Sequence, residues 1–168
     1  MWEHMRRDQR EHDFSEFYTA RGPTLRRTAY LIVRDWHLAE DLTQQAFVRL
    51  YAAWPRIRGE SLEAYARKAV VNTCLSHLRR RRPESPTDAL PDRAQLDGEP
   101  VLDVSQALGL LPPRQRAIVA LRFLDDLPVL EVAEVLGVAE GTVKSQSARA
   151  LETLRAHLPE LVVSEESR

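Results

Sequence analysis

The stretch VLEVAEVLGVAEGTVKSQSARALETL, residues 129–154, decides the fold. At helical period Val132, Ala133 and Leu136 form one short apolar face, and Gly137 follows where a turn needs a backbone with no Cβ penalty. Val138 tucks under that turn. Glu140-Gly141-Thr142 then opens a second helix carrying Val143, Ala150, Leu151 and Leu154. Ala133, Gly137 and Val143 have the spacing of a helix-turn-helix. The small residue lets two helices approach, the glycine makes the bend and the valine plugs the joint. Away from those plugs lie Thr142, Lys144, Ser145, Gln146, Ser147 and Arg149, whose side chains donate to phosphates and base edges from a helix that fits the major groove. An ordinary helical hairpin with a solvated polar face also fits the period. The joint match of small residue, glycine and valine is more specific than the period, and it favours DNA.

Working outward, 168 residues leave room for one ordinary domain or two small ones. Hydrophobic residues make up 43% and charged residues 29%, a balance that suits a soluble folded chain and argues against disorder. No window approaches the roughly 20 apolar residues of a membrane span. The opening MWEHMRRDQREHDF has no apolar core of a secretion signal, and Cys74 is the only cysteine. Both features lead to the expectation of a cytoplasmic protein with no membrane insertion and no intrachain disulfide.

The overall charge of −1 hides an asymmetry: residues 1–82 carry +6, residues 83–102 carry −4 and the rest −3. A basic front, an acidic connector and a mildly acidic back suggest two bodies on a tether. A helix-turn-helix half that is not basic should grip phosphates weakly by itself, because that grip scales with the charges neutralised.

The pattern is all-α throughout. Residues 1–12 read as a disordered N-terminus. Asp13, a candidate N-cap, starts an amphipathic helix that Gly22-Pro23 interrupts, and Pro23 begins another through Leu25, Ala29, Tyr30, Ile32 and Val33. In the next helix Leu38, Leu42, Ala46, Leu50 and Ala53 form a stripe that leaves Asp41, Gln44, Gln45 and Val48 off it. Trp54-Pro55 ends that helix. A basic loop with Arg56 and Arg58 leads to a helix from Ser61 to about Arg82, with Leu62, Tyr65, Ala66, Ala69, Val70, Thr73 and Leu78 inward. Residues 13–82 thus form a small helical bundle. Residues 83–102 hold four prolines and five acids with no apolar period, which reads as a flexible linker. Residues 103–160 form the second helical domain, in which Pro112-Pro113 restarts a helix running from Arg114 to Leu124; residues 161–168 are a frayed tail.

Little supports an enzyme. The sequence has no phosphate-cradling glycine loop and no His-Glu-x-x-His, and Cys74 with His77 supplies too few ligands for zinc. No catalytic residue, metal or cofactor is assigned. The run Arg79-Arg80-Arg81-Arg82 complements a helix dipole, which suffices for a plain soluble bundle. Together with Arg56, Arg58, Arg67, Lys68 and the polar Asn72, it also suits a nucleic-acid backbone with exposed bases.

The whole layout resembles a sigma factor of RNA polymerase, of the short extracytoplasmic-function group of the sigma-70 family, similar to its actinobacterial sigma-E-like members. Asp41-Leu42-Thr43-Gln44-Gln45-Ala46-Phe47 resembles the family's helix that docks on the polymerase β′ clamp. Arg58-Gly59-Glu60, Ala69-Val70-Val71-Asn72-Thr73 and the arginine run resemble the segment that melts promoters and reads the −10 element. Leu110 to Arg116 and Glu140 to Ser145 resemble the domain that reads the −35 element.

The resemblance implies promoter-directed initiation, with Asp41, Gln44, Gln45 and Phe47 docking polymerase. It implies Arg58, Arg67, Lys68, Asn72, Arg79 and Arg80 at −10 DNA, and Thr142, Lys144, Ser145, Gln146 and Arg149 at −35 DNA. Its implied partners are core polymerase (β′ clamp and β flap), promoter DNA and an anti-sigma factor. Many members carry Arg after Lys-Ser, where this chain has Gln146. The residues alone also admit a conventional helix-turn-helix regulator with a sensory or dimerising front, or an adaptor whose helix-turn-helix contacts protein.

Overall fold

Arg34 stops one helix and Asp35 starts the next, and the pair so made is the frame of the molecule. In a computed structural model, described over residues 1–57, 62–81 and 106–157, α1 runs Trp2–Val33 and α2 Trp36–Ala53. Arg34 adopts the left-handed conformation (φ 61°) between them, and the Asp35 carboxylate accepts the Leu38 N–H at 3.0 Å, capping α2. A 3₁₀ turn, Trp54–Arg56, follows α2, and α3 spans Leu62–Arg80. In the second half α4 (Pro113–Val119) continues into a π-helical turn, Ala120–Leu124, before α5 (Val129–Leu136) and α6 (Glu140–His157). Every regular element among the described residues is helical.

Two expectations for α1 are corrected. Residues 2–12 are helical, and Gly22-Pro23 does not divide the helix. Arg7–Glu11 and Gln9–Asp13 pairs, each four residues apart, support the early turns. Pro23 removes one backbone bond, but buried Gly22 lies against the Tyr18 ring and the helix is held on both sides of the break by α2. Phe14, Phe17 and Tyr18 pack on Phe47, and Phe14 and Phe17 also meet Trp54. That aromatic cluster offsets the missing bond.

The end of α1 is buried all round. Thr28 to Val33 are six consecutive buried residues, because α2 and α3 cover one side and α4 the other. Arg116 of α4, only 9% exposed, donates from Nε to the Ile32 carbonyl (2.8 Å) and from Nη1 to the Leu111 carbonyl (3.2 Å). It thereby caps α1 from the other half of the chain. Burial, and then the nearby Arg34 charge, pull its guanidinium down to about 10. Thr28 donates to Asp125 at 3.0 Å across the same seam, and α5 packs on α3. The two halves therefore share one buried core among the described residues. The proposed linker, residues 83–102, lies outside them.

Candidate nucleic-acid and protein interfaces

The helix-turn-helix forms as its glycine requires. Gly137 sits at φ 65°, its N–H and that of Val138 both reaching the Ala133 carbonyl. Val132, Ala133, Val143 and Ala150 are fully or nearly fully buried at the joint. On α6, Lys144, Ser145 and Arg149 are exposed, while Thr142 and Gln146 are half-buried at the rim. Ser147 differs from expectation: it is 2% exposed, one turn beyond Val143 on the inward side. Gln115 of α4 donates to the side-chain amide oxygen of Gln146 at 2.9 Å, which fixes that amide.

On α3, Tyr65, Lys68, Asn72 and Ser76 fall on one helical strip. With Arg49 of α2 and Ala69 and Thr73 they line a groove of about 350 Å³. Tyr65 was expected inward, yet it is 43% exposed, on the strip of α3 that the groove leaves open. The signal that could have found it is the spacing of Tyr65, Lys68 and Asn72 at three and seven residues. The groove joins cations, an amide and an aromatic face, the chemistry of an unstacked base and its phosphate. Arg67 is half-buried and donates to Glu63 at 3.3 Å, and Glu63 also meets Arg21 at 3.2 Å. Arg79 and Arg80 are exposed on the last turn. Arg58 lies outside the described residues.

The third surface lies between α1 and α2. Asp41, Gln44 and Gln45 are exposed as expected, but Phe47 is only 3% exposed, inside the aromatic cluster. It forms the floor of an apolar groove of about 570 Å³ whose walls are Phe14, Tyr18, Gln44, Val48 and Tyr51. Val48, 70% exposed, and Tyr18 are the apolar side chains it offers to a partner. The resemblance puts Phe47 in the docking set, and the packing of α1 over α2 buries its ring.

No group of three or more His, Cys, Asp or Glu that could hold a metal occurs among the described residues. No helix among them is long and apolar enough to cross a membrane. Buried Cys74 has its thiol pushed up to about 12 by burial, the opposite of a reactive cysteine.

These surfaces fall in the regions that known proteins share with the chain. Residues 17–84 match the family described as sigma-70 region 2, and residues 102–154 match sigma-70, region 4. The RNA polymerase sigma-E factor of Streptomyces avermitilis is 38% identical, over 87% of this chain and 85% of its own length. The ECF RNA polymerase sigma factor SigM of Mycobacterium tuberculosis is 35% identical, over 89% and 76%. Among solved structures, the sigma factor RpoE of Bartonella quintana, in complex with the anti-sigma factor NepR, superposes with a TM-score of 0.71 at 26% identity, covering 88% of this chain and 98% of that one. A two-region helical chain with these relatives is an RNA polymerase sigma factor. It belongs to the sigma-70 family, in the extracytoplasmic-function group.

Proposed function

We propose that this sigma factor directs core RNA polymerase to promoters with three surfaces of its own. Residues 13–82 dock polymerase and read the −10 element, and residues 103–160 read the −35 element. The observation that carries the reading is the joint presence, in the family's order, of the exposed Asp41/Gln44/Gln45 face, the Tyr65–Lys68–Asn72 groove and an outward Lys144/Ser145/Arg149 face. The β′ clamp would rest on the α1–α2 groove, with Phe47 shaping its floor rather than touching the partner. The β flap would meet the second half.

In the α3 groove, Asn72 would hydrogen-bond a base turned out of the stack while Tyr65 stacks on it and Lys68, Arg67, Arg79 and Arg80 hold phosphates. Arg58 belongs to the same set by resemblance. The protein acts by binding, in the cytoplasm, and uses no cofactor. An anti-sigma factor is part of the proposal, since the Bartonella quintana relative is seen with one. Reconstitution tests the whole: with core polymerase the protein should give transcripts from defined promoters. Asp41→Arg together with Gln44→Ala should abolish co-purification with core while helical circular dichroism stays unchanged. Retained co-purification rules out that docking face.

A further inference from the structure

One polar side chain of the recognition helix already has half of its hydrogen bonding engaged. Thr142, Gln146 and Arg149 follow one another at four and three residues, so they form one strip of α6. The strip borders the buried face made by Val143, Ser147 and Ala150, where α6 packs on α4. Arg149 is exposed, whereas Gln146 is half-buried and meets Gln115 of α4. Gln115 donates from Nε2 to Gln146 Oε1 at 2.9 Å, across 31 residues of chain. A glutamine amide has one acceptor oxygen and a nitrogen with two donor hydrogens. With the oxygen turned to α4, the end of Gln146 left for the groove is the amide nitrogen.

We infer that Gln115 is a positioning residue, which holds the Gln146 amide so that it offers a −35 base donors alone. The inference rests on the reading of α6 as the −35 helix and goes beyond it by naming the base edge that Gln146 takes. In the major groove guanine shows two acceptors, N7 and O6, thymine shows O4, and cytosine shows only its N4 donor. A free glutamine pairs best with adenine, because it gives a hydrogen to N7 and takes one from N6. Turning the oxygen to Gln115 removes the second half of that pair. Gln146 so held favours guanine and rejects cytosine, whose N4 hydrogens would face those of the amide.

The test is promoter selection by the holoenzyme from a library randomised across the −35 element, and Gln146→Ala marks the position concerned by relaxing it. There the wild type should favour guanine over cytosine about three- to tenfold, the worth of one neutral hydrogen bond. Gln115→Ala frees the amide and should move that position towards adenine. Gln115→Glu presents acceptors only, so it draws the Gln146 nitrogen to α4 and turns the oxygen outward. Preference should then reverse to cytosine or adenine. The added carboxylate weakens binding to every promoter variant alike, so the ratio between bases reports the amide. A Gln115 that merely braces the fold would lower activity without altering the base chosen. The inference is overturned if Gln146→Ala relaxes no position, if the wild type prefers cytosine there, or if Gln115→Glu leaves the preference unchanged. Failure of the −35 reading looks different: Lys144→Ala with Arg149→Ala would then leave the whole −35 preference intact.

Discussion

At the scale of single residues, the exposed polar faces and the buried side chains carry different duties. Asn72 is half-buried in the α3 groove with Tyr65 beside it, so each should matter to the melted strand rather than to folding. Asn72→Ala and Tyr65→Ala should lower open-complex formation on duplex promoter far more than on a template melted in advance by mismatches. Equal loss on both templates would remove the base-reading role. Arg116 is the contrary case. Arg116→Met would leave the Ile32 and Leu111 carbonyls without their donor and should cost about 1–3 kcal/mol in urea unfolding. Asn72, Lys144 and Arg149 were legible as candidates from residue type and helical spacing. Tyr65, Phe47 and Ser147 were misplaced, since the edge of a buried stripe depends on which neighbour covers it. A single-helix pattern holds no information about α1 lying over α2.

Among the elements, the α5–α6 joint was the most legible part of the chain. Gly137 marks the turn, and no other residue type takes its φ of 65° at so little cost. The least legible was α1, because Pro23 ordinarily breaks a helix and here the aromatic packing on α2 outweighs it. On the recognition helix, Arg149 separates two modes of contact. If it reads a base, Arg149→Ala should cost about 1–3 kcal/mol and relax one −35 position alone; if it grips phosphate, the loss should be uniform across −35 variants. The Gln115–Gln146 hydrogen bond joins α4 to this helix through neutral groups. Gln115→Ala should therefore weaken −35-dependent binding without changing its salt slope, as no counterion is released. Promoter selection with both variant holoenzymes reads these outcomes side by side.

For the whole molecule, the contact between halves conflicts with the span of a promoter. Elements centred 25 base pairs apart lie about 85 Å apart along the duplex, whereas Asn72 and Arg114 line one small cavity here. If α3 and α6 read the two promoter elements as proposed, the closed arrangement opens on the way to initiation. Labels on cysteines introduced at exposed His37 and Glu152 should move apart by tens of ångströms when core polymerase and promoter are added. Buried Cys74, with its thiol held up to about 12, should stay unlabelled in the native protein. None of this contact was legible in the sequence. A buried arginine capping the end of a distant helix leaves no periodic trace, and the charge asymmetry alone suggested separation.

The central claim is that the chain gives polymerase its promoter choice, and run-off transcription from a library of genomic fragments tests it most directly. Core polymerase with this protein should start at a discrete set of sites sharing one −35 and one −10 motif at fixed spacing, and core alone should not. DNA bound equally with and without core, with no new start sites, would contradict the claim and leave a conventional helix-turn-helix regulator in its place.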